Sequence, residues 1–339
     1  MSRNVYICWT RYQRRPESLQ ALLQLEVFFI APISDKRALK IPGYVVSALT
    51  TLRILFRTQP DTLWLQLAPS VLLYPSFLYK WLLRPDLRII ADCHNGVLRS
   101  QWLNLPFIRR LLRKCDLVLF HNSIVQERAR GFGIAGHNVQ LLLTPPAIPE
   151  NREARPPRVA AKLAAGFVLM PASFSGDEPI HVVLQTAAQL PDLTFVLTGN
   201  VATANRKHAV RSWPRNVILP GFLPAAELDW LLAHASAVLA LSIHPDIELS
   251  AGNEALGFGR PLVVTDSAVS RQLFGGYAVL VDPRSIASVK QGIEQVMQQP
   301  VSESHIQAFR RQRIAASCRE TATIAMMLKR TRVPSCDVL

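Results

Sequence analysis

The stretch HPDIELSAGNEALGFGRPLVVTD, residues 244–266, holds the densest group of side chains that could do chemistry. Asp246 and Glu248 follow an apolar run and precede a series of small residues. Backbone N–H groups at a helix start, together with the helix dipole, bind anions and phosphates above all. The pattern therefore predicts a helix from Ser250 onward that binds a phosphate group beside two acids. An ordinary loop with a few surface acids fits the same letters.

Glu254 is the third acid of this stretch. If Ser250 caps the helix, Glu254 stands one residue beyond the position that a capping box uses, so its carboxylate is available to a ligand. A ribose diol suits such a carboxylate because its two hydroxyls donate hydrogen bonds. The letters that follow, GFGRPLVVTD, indicate a turn and then a strand.

His94 is the most informative single residue of the first half. It follows RIIAD, where a parallel strand should end, and an imidazole there can hydrogen-bond a sugar hydroxyl or orient an acceptor. A histidine that is satisfied by Asp92 or by backbone groups fits the sequence as well. Asp177 and Glu178, in SGDEP, are compatible with a paired-carboxylate site, although the sequence favours a surface loop.

Other catalytic and metal-binding patterns are missing from the sequence. No His/Cys/Asp cluster has the spacing of metal ligands, and no Walker A, GxSxG or HExxH motif occurs. We therefore expect no metal ion and no resident cofactor.

The elements that must position these residues form a repeating pattern. Short apolar runs alternate with amphipathic stretches, which is typical of βαβ units around a parallel sheet buried on both faces. The predicted strands are residues 4–9, 27–32, 62–67, 87–93, 116–122 and 139–145, followed by 167–173, 193–199, 216–221, 237–242, 261–266 and 278–282.

The chain of 339 residues is long enough for two such domains. The Pro- and charge-rich segment PPAIPENREARPPR, residues 145–158, is typical of a linker. We predict a first domain over 1–150 and a second over 151–305. The fold class is α/β, with two Rossmann-like doubly wound domains facing a central cleft and ligands bound beyond the carboxyl ends of the strands.

The net charge of +14 lies mostly in the first half of the chain. Residues 1–150 contain 19 Lys and Arg against 9 Asp and Glu, whereas residues 151–339 contain 19 against 15. A basic face attracts the phosphates of a nucleic acid, a nucleotide or an anionic lipid. Nucleic acid is disfavoured, because the sequence has no zinc-finger spacing, no RNP-like motif and no basic tract with interleaved aromatics.

Two features bear on the compartment. The five cysteines are scattered without a CxxC pair, and MSRNVYICWT is unlike a signal peptide, so we expect a cytoplasmic chain with reduced, packed cysteines. The uncharged run 62–79 is long enough to cross a bilayer, but Pro69 and Pro75 favour a buried strand, a loop and a helix. The alternative is a patch that dips into the bilayer from one side, with a basic rim from LLRP and RRLLRK.

The stretch 244–266 resembles the nucleotide-sugar site of retaining GT-B glycosyltransferases, specifically the large GT4-like group. That group shows a Glu, seven residues, a second Glu followed by Ala, and then Gly and Pro before a short strand. Here Asp246 takes the place of the first Glu, and Glu254 and GFGRPLVVTD follow in register. The resemblance implies that Asp246 or the nearby Glu248 contacts the transferred sugar and that Glu254 binds the ribose. The residues implied to hold the diphosphate are Ser250, Ala251, Gly252 and Asn253.

The likeness extends over the whole chain. LTFVLTGN (193–200) and GFLPAAELDWLLAHASAVLALS (221–242) resemble the segments that lead to the base pocket and to the acids. IADCHNG (90–96) and DLVLFHNS (116–123) resemble the first-domain strand ends, and the helix over 306–339 is implied to cross back to the first domain. The implied contacts are Gly199, Gly221 and Phe222 with the donor, His94 with the sugar, and Asn95 and His121 with the acceptor.

Two departures from the family pattern concern phosphate binding. The family has an Arg and a Lys after the first strand of its second domain, where this chain has ASFSGDEPIH (172–181). Its Gly-rich first loop is replaced here by WTRYQRRPES (9–18), which also fits a solvated helix start. The side chains expected to take over are Arg206 and Lys207 towards the donor, and Arg11, Arg14 and Arg15 towards an acceptor phosphate.

The sequence thus predicts an enzyme, a glycosyltransferase that moves a sugar from a nucleotide-diphosphate donor to an acceptor hydroxyl, with retention if the resemblance holds. The basic first domain implies a glycan or lipid-linked acceptor at an anionic membrane, as in a bacterial surface-polysaccharide pathway, and a peripheral location on the inner face. Two alternatives stay open. One is a nucleotide-sugar epimerase or an inverting GT-B transferase, and the other is a non-catalytic protein that binds a nucleotide or an anionic lipid.

Overall fold

In the computed structural model the chain forms two units, each built on its own parallel sheet. Unit 1 holds residues up to 145 together with those from 315, and unit 2 holds residues 146–314. The structure describes residues 3–33, 39–147, 153–163, 166–208, 210, 212–299 and 301–328. Within these ranges, the side chains of Ala21, Asn95 and Ser100 are not described.

Unit 1 is built on a parallel sheet of six strands. Its strands are β1 (Asn4–Cys8), β2 (Leu25–Phe29), β3 (Thr62–Leu67), β4 (Arg88–Cys93), β5 (Leu117–Phe120) and β6 (Val139–Leu141). Their order across the sheet is β2-β1-β3-β4-β5-β6. The helices between them are α1 (Arg14–Leu23), α2 (Lys40–Thr58), α3 (Leu73–Leu83), α4 (Ser100–Leu103), α5 (Ile108–Arg113) and α6 (Ser123–Arg130).

Unit 2 repeats the architecture with a second six-stranded parallel sheet. Its strands are β7 (Phe167–Met170), β8 (Thr194–Thr198), β9 (Val217–Gly221), β10 (Ala237–Ala240), β11 (Leu262–Thr265) and β12 (Val279–Val281). Their order is β12-β11-β10-β7-β8-β9. Its helices are α7 (Ile180–Gln189), α8 (Val201–His208), α9 (Ala225–His234), α10 (Ser250–Gly257), α11 (Ala268–Phe274) and α12 (Ile286–Gln298). The last helix, α13 (Glu303–Met327), begins in unit 2 and belongs to unit 1 from residue 315 onward.

All twelve predicted strands are present, because a parallel strand covered on both faces needs a continuous apolar run. Only β2 begins two residues before the predicted segment. The uncharged run 62–79 forms the buried strand β3, a short 3-10 helix (Ser70–Leu72) and most of α3, as predicted. Within the described ranges, no helix is both long enough and apolar enough to pass through a bilayer.

The cysteines follow the prediction only in part. Cys8, Cys93 and Cys115 are free thiols buried in the core of unit 1. Cys318, in α13, is instead part of a disulfide bond, so the expectation of reduced cysteines throughout is wrong for this residue. A lone Cys within a helical sequence pattern does not reveal a bonded partner, because disulfide pairing depends on the folded geometry.

Candidate functional site

In unit 2 the chain leaves β7 towards β8 and β9 and then returns to pair β10 on the other side of β7. The segments that follow β7 and β10 therefore lie side by side at the carboxyl edge of the sheet. Doubly wound sheets bind ligands at this reversal of strand order. The segment after β10, residues 241–249, contains Asp246 and Glu248.

Asp177 ties the segment after β7 to the segment after β10. Its carboxylate accepts hydrogen bonds from Ser175 Oγ at 2.6 Å and from Ser242 Oγ at 2.8 Å, and its carbonyl accepts from Ile243 N at 2.8 Å. Burial alone would raise the pKa of Asp177, but the hydroxyl hydrogen bonds outweigh it and hold the pKa below its ordinary value. Asp177 thus fixes the start of the loop that carries the predicted acids.

The role of Asp177 was not visible in the sequence, which favoured a surface loop. Ser242, its partner, lies 65 residues further along the chain, so local letters such as SGDEP carry no sign of the bond. Glu178, the neighbouring acid, accepts from Ser173 N at 3.0 Å and Ser173 Oγ at 2.8 Å. Burial raises the pKa of Glu178 above its ordinary value despite these hydrogen bonds.

Glu248 is 6% exposed, and its two carboxylate oxygens differ in environment. Oε1 accepts a 2.7 Å hydrogen bond from Asn253 Nδ2, whereas Oε2 is buried and has no hydrogen-bond partner among the described residues. Leaving a buried polar atom unpaired is costly, so such an atom in a ligand-binding edge points to a ligand hydroxyl or amine. Glu248 is therefore the predicted site residue whose geometry most directly calls for a ligand.

Arg313 is a buried cation that contacts Asn253, the partner of this carboxylate, and the sequence did not single it out. Its Nη2 donates to Asn253 Oδ1 at 3.4 Å and its Nη1 donates to the carbonyl of Leu273 at 3.2 Å. The amide of Asn253 is thereby oriented with its oxygen towards Arg313 and its nitrogen towards Glu248. In the sequence, Arg313 is one of several arginines on the last helix, and nothing local separates it from a solvated residue.

The start of α10 differs from the prediction. The N-cap residue is Leu249, in an extended conformation and without a capping side chain, so the predicted cap at Ser250 is wrong. Gly252 packs against Phe274, because a Cβ on Gly252 would lie 2.7 Å from that ring. Packing alone therefore requires the small residue at 252. Ser250 itself is exposed at the helix start, whereas Ala251 is buried.

Glu254 and Asp246 are more enclosed than the sequence indicated. Glu254 is 6% exposed and lies just over one turn into α10, while Asp246 is half-buried. Each of them makes an interaction within the protein. The expectation that the carboxylate of Glu254 is wholly open to a ligand is thus not supported, although its place beside Asn253 keeps it at the same end of the helix.

The two glycines predicted to contact the donor differ in why glycine stands at each position. Gly199 follows β8 with φ +112°, and a Cβ there would lie 2.2 Å from the carbonyl oxygen of Ala172, so only glycine fits. Gly221, the last residue of β9, has φ +85° and open space where a Cβ would stand. Phe222 follows it and is exposed. Both glycines lie at the carboxyl edge of the sheet, where the amide of Gly199 donates to the carbonyl of Gly221 at 2.8 Å.

The basic residues near the predicted donor site stand in two different places. Arg206 and Lys207 are exposed in the last turn of α8, which ends at His208. Arg284, which the sequence did not single out, donates from Nη2 to the carbonyl of Ile243 at 3.2 Å. Its guanidinium therefore reaches the loop that carries the acids. The available signal was its position just after β12, in VDPRS.

Unit 1 has the same kind of strand reversal, between β1 and β3. At this edge Asp92, near the end of β4, is completely buried. Its carboxylate accepts two hydrogen bonds of 2.9 Å from Arg15, through Nε and Nη2, and one of 2.5 Å from Tyr6 Oη. His121 Nε2 lies 3.1 Å from Oδ1 of the same carboxylate.

The groups that surround Asp92 determine its charge and the protonation of Tyr6. Burial alone would raise the pKa of Asp92, but the charges of Arg15 and His121 and their hydrogen bonds hold it far below its ordinary value. An ionised carboxylate only accepts hydrogen bonds, so His121 donates from Nε2. Burial and the charge of Asp92 raise the pKa of Tyr6, which keeps its hydroxyl as a donor.

His94 follows β4, and its backbone N–H donates to the carbonyl of Leu67 at 2.5 Å. Its ring meets the ring of His121 edge-on, with 5.5 Å between the ring centres. Removal from water lowers the pKa of His94 to about 3, and the neighbouring charge of His121 acts in the same direction. The imidazole of His94 is therefore neutral near pH 7 and can both accept and donate a hydrogen bond.

A cavity of about 330 Å³ opens beside His94 at the carboxyl edge of the unit 1 sheet. Its lining consists of Trp9, Thr10, Gln13, Gln66, Ala68 and His94. Gln66 is 6% exposed, and its Oε1 is buried without a hydrogen-bond partner among the described residues. Gln66, the residue that carries this unpaired atom, lines the cavity, and a polar cavity wall is expected where ligand hydroxyls bind.

A larger cavity of about 390 Å³ shares Trp9 and Ala68 with the first. Its wall includes Trp9 stacked on Tyr44 at 5.9 Å, and the ring of Tyr44 meets Trp102 edge-on at 6.3 Å. Lys40 and Arg99 also line it. Aromatic faces together with cations suit a sugar or an apolar group that bears an anion.

The acceptor residues predicted in unit 1 have different outcomes. Arg15 is buried, with Nη1 on Thr144 Oγ1 at 3.0 Å and the rest of its guanidinium on Asp92 and the carbonyl of Leu142, so its predicted contact with an acceptor phosphate is not supported. Arg14 is likewise buried and pairs with Glu17 at 3.1 Å, and Arg11 is exposed. His121 holds Asp92, and the side chain of Asn95 lies outside the described residues.

Neither a metal-binding cluster nor a sequence match adds a functional assignment to these sites. Across the part of the chain that the structure describes, no group of three or more His, Cys, Asp or Glu is arranged to hold a metal ion. No protein-family model matches the sequence, and a comparison with curated proteins gives no match either.

Solved structures share the fold over nearly the whole chain. HepE from Anabaena, in complex with UDP and glucose, gives a TM-score of 0.67 at 14% identity and covers 97% of this chain and 100% of its own. Sucrose-phosphate synthase from Thermosynechococcus elongatus gives 0.68 at 13% identity and covers 97% of both chains. A trehalose-6-phosphate synthase, an enzyme of glycosyl transfer with retention, gives 0.63 at 11% identity and covers 98% and 100%. At these identities the similarity establishes the architecture: two parallel six-stranded sheets with flanking helices, the GT-B fold of glycosyltransferases.

Proposed function

We propose that this chain is a glycosyltransferase that moves a sugar from a nucleotide-diphosphate donor to an acceptor hydroxyl, with retention at the anomeric carbon. The GT-B fold supports this proposal, because the similar HepE structures contain UDP, glucose or UDP-glucose. Retention is supported by the likeness of residues 244–266 to the GT4-like site and by the retention named for trehalose-6-phosphate synthase.

The observation that carries the proposal is the unpaired Oε2 of Glu248 at the strand reversal of unit 2. A hydroxyl of the donor sugar would supply the missing hydrogen bond, and Asp246 lies two residues away on the same loop. We assign the sugar to Asp246 and Glu248, the diphosphate to residues 250–253, and the ribose to Glu254. The amide of Gly252 already donates to the carbonyl of Leu249 at 2.9 Å, so the N–H groups that we assign to the phosphates are those of Ser250 and Ala251 in the first turn of α10.

The departing diphosphate needs positive charge, because stabilising the charge that develops on a leaving group is a main source of catalysis. We propose Arg284 for this role, supported by its hydrogen bond to the loop that carries the acids. Arg206 and Lys207 on α8 are the further candidates. In this proposal these cations take over from the Arg and Lys that the family pattern has after the first strand of its second domain, and with them we expect transfer without a metal ion.

The acceptor is assigned to the cavity beside His94. The neutral imidazole can accept a hydrogen bond from the acceptor hydroxyl, and the unpaired Oε1 of Gln66 can take a second. We propose that the acceptor is a membrane-associated glycan of a surface-polysaccharide pathway and that the protein works at the inner face of the membrane. The excess of 19 basic over 9 acidic residues in 1–150 supports an anionic surface as the place of work.

A panel of nucleotide sugars tests the proposal. A donor that binds should raise the melting temperature, and slow release of its nucleoside diphosphate should follow in the presence of chelator. Proton NMR of the released or transferred sugar then gives the anomeric configuration, which we expect to be retained. Interconversion of the sugar without release would favour an epimerase, inversion would favour an inverting transferase, and binding without turnover would favour a non-catalytic protein.

A further inference from the structure

Helices α2 and α3 of unit 1 expose an unusual amount of apolar surface. Nine large apolar side chains on these two helices expose between 46% and 77% of their surface, more than half of all such exposed side chains in the described residues. Large exposed apolar patches on soluble folds mark interaction sites. The patch, here named the α2–α3 apolar face, consists of Ile41, Val45, Val46, Leu49, Phe56, Leu78, Trp81, Leu82 and Leu83.

On helix α2 several polar residues are buried, whereas several large apolar residues face solvent. Its buried residues include Ser47, Thr51 and Thr58 beside Leu55, while Leu52 and Ile54 pack partly buried against the core. Residues 41, 45 and 49 recur at a spacing of four and face solvent, so they form a continuous apolar stripe. Polar residues buried and apolar residues exposed on one helix indicate a surface that meets an apolar environment.

The stripe on α2 continues onto α3. The ring of Phe56 meets the ring of Tyr79 edge-on at 5.5 Å, and Tyr79 Oη donates to the carbonyl of Leu55 at 3.0 Å. Trp81 on α3 lies 5.5 Å beneath the ammonium group of Lys114. The two helices therefore present one patch with a tryptophan at its basic border, a place where tryptophan favours the interface between water and lipid.

The charged side chains on the two helices of the patch are all positive, although Lys80 pairs with Asp116 at 3.2 Å. Neither α2 nor α3 contains an acidic residue, whereas α2 carries Lys40, Arg53 and Arg57 and α3 carries Lys80. The neighbouring α5 adds Arg109, Arg110 and Arg113, again without an acid. Residues 39–115 as a whole contain 11 Lys and Arg against 3 Asp and Glu.

We infer that the α2–α3 apolar face docks unit 1 on an anionic bilayer, with α2 and α3 lying in the interface and the cations against lipid head groups. An apolar face flanked by Lys and Arg, with tryptophan at its edge, is the pattern of an interfacial helix. A second copy of the chain fits less well, because a symmetric interface would bring the same cations of both copies together. No helix needs to cross the bilayer for this mode of binding.

Docking in this way brings the cavities of unit 1 to the membrane surface. The other side of α2 contributes Lys40, Gly43, Tyr44 and Ser47 to the wall of the larger cavity. A lipid-linked acceptor held in the bilayer can thus reach that cavity by passing a single helix. The inference deepens the membrane part of the proposed function and rests on it only for the identity of this acceptor.

Vesicle co-sedimentation of the full chain, without donor or acceptor, tests the docking. We expect binding to equimolar phosphatidylcholine and phosphatidylglycerol, little binding to phosphatidylcholine alone, and a marked loss between about 0.1 M and about 1 M salt as the Debye length shrinks. Ile41→Ser with Leu49→Ser should weaken binding at least tenfold and leave the relative effect of salt intact. Arg53→Gln with Arg57→Gln should also weaken it about tenfold and flatten the salt dependence.

Met326→Ser is the matched control, since Met326 is 61% exposed on α13 and lies outside the patch. It should bind vesicles as the wild type does. The inference would be overturned if all variants bound vesicles equally, or if the wild type bound vesicles with and without phosphatidylglycerol equally well. A dimer in sedimentation velocity that the Ile41→Ser and Leu49→Ser pair dissociates, together with absent vesicle binding, would also overturn it. Nucleoside diphosphate release, measured separately, reports on the proposed function and is independent of these outcomes.

Discussion

Asn253 donates a 2.7 Å hydrogen bond to one oxygen of Glu248 and leaves the other oxygen of that buried carboxylate without a partner among the described residues. Arg313 holds the same amide from its other side, so Asn253 cannot turn to satisfy both oxygens without losing that contact. The arrangement leaves one fixed, buried acceptor oxygen at the carboxyl edge of the unit 2 sheet. It explains why an acid is buried in a loop that the sequence alone allowed to be an ordinary surface loop.

Glu248→Gln should lower the affinity for a nucleotide sugar by about tenfold to a hundredfold, which corresponds to about 1.5–3 kcal/mol for a hydrogen bond to a charged group. The glutamine can still accept from Asn253, but its amide nitrogen then faces the sugar hydroxyl that the carboxylate would accept. Binding of the nucleoside diphosphate alone should stay unchanged. Titration calorimetry with both ligands measures this. Glu294→Gln, on α12, is the matched control, and an equal loss for both ligands would contradict the sugar assignment.

Arg15→Met should destabilise unit 1 by about 3–5 kcal/mol, because it leaves the buried carboxylate of Asp92 without its main counter-charge. Adding Asp92→Asn should recover part of that loss, since the uncompensated charge is then gone. Urea unfolding of the two proteins measures the effect. Arg110→Met, at an exposed position on α5, should change the free energy of unfolding by less than about 0.5 kcal/mol. A double variant no more stable than Arg15→Met would argue against the ion pair as the cause.

The stability of unit 1 should depend on pH through His94. Its pKa is lowered to about 3 in the folded chain, whereas an unfolded histidine has a pKa of about 6.5. Between these values the unfolded state binds the extra proton, so the free energy of unfolding falls as the pH falls from about 6.5 towards about 3. The slope is at most about 1.4 kcal/mol per pH unit.

Urea unfolding of wild type and His94→Asn near pH 7 and near pH 5 isolates this contribution. Wild type should lose up to about 2 kcal/mol more than the variant over this interval, which follows from the slope above. Glu178 has a raised pKa and acts in the opposite direction, but it is present in both proteins and cancels. His137→Asn, at an exposed position, should behave as wild type. Parallel pH profiles for wild type and His94→Asn would show that His94 titrates normally.

The sequence predicted the sheets well because their signal is local. A parallel strand such as TLWLQL is apolar along its whole length, since both faces are covered, and no long-range information is needed to recognise it. The order of the strands was not predicted, but the alternation of strands and helices was enough to place Asp246 and His94 at carboxyl edges of sheets. The GT-B fold that the resemblance implied is confirmed.

The sequence failed where a side chain finds its partner far along the chain. Arg15 stands in RYQRR, which is locally indistinguishable from a solvated helix start, yet it pairs with Asp92, 77 residues away. Tyr6 reaches the same carboxylate across 86 residues. The cap at Ser250 was misplaced by one residue, because backbone conformation rather than residue type decided that Leu249 precedes the first helical residue. Such contacts depend on topology, which no short motif encodes.

Glu254→Gln gives the most direct test of the donor site at α10. We expect that the wild type binds the nucleoside diphosphate of its preferred donor and that the variant binds it at least tenfold more weakly, because the ribose loses a charged acceptor. Circular dichroism and an unchanged melting temperature would show that the fold is retained. Titration calorimetry of the two folded proteins decides the matter: a tenfold or greater loss is the predicted result, and equal affinity would contradict the donor site.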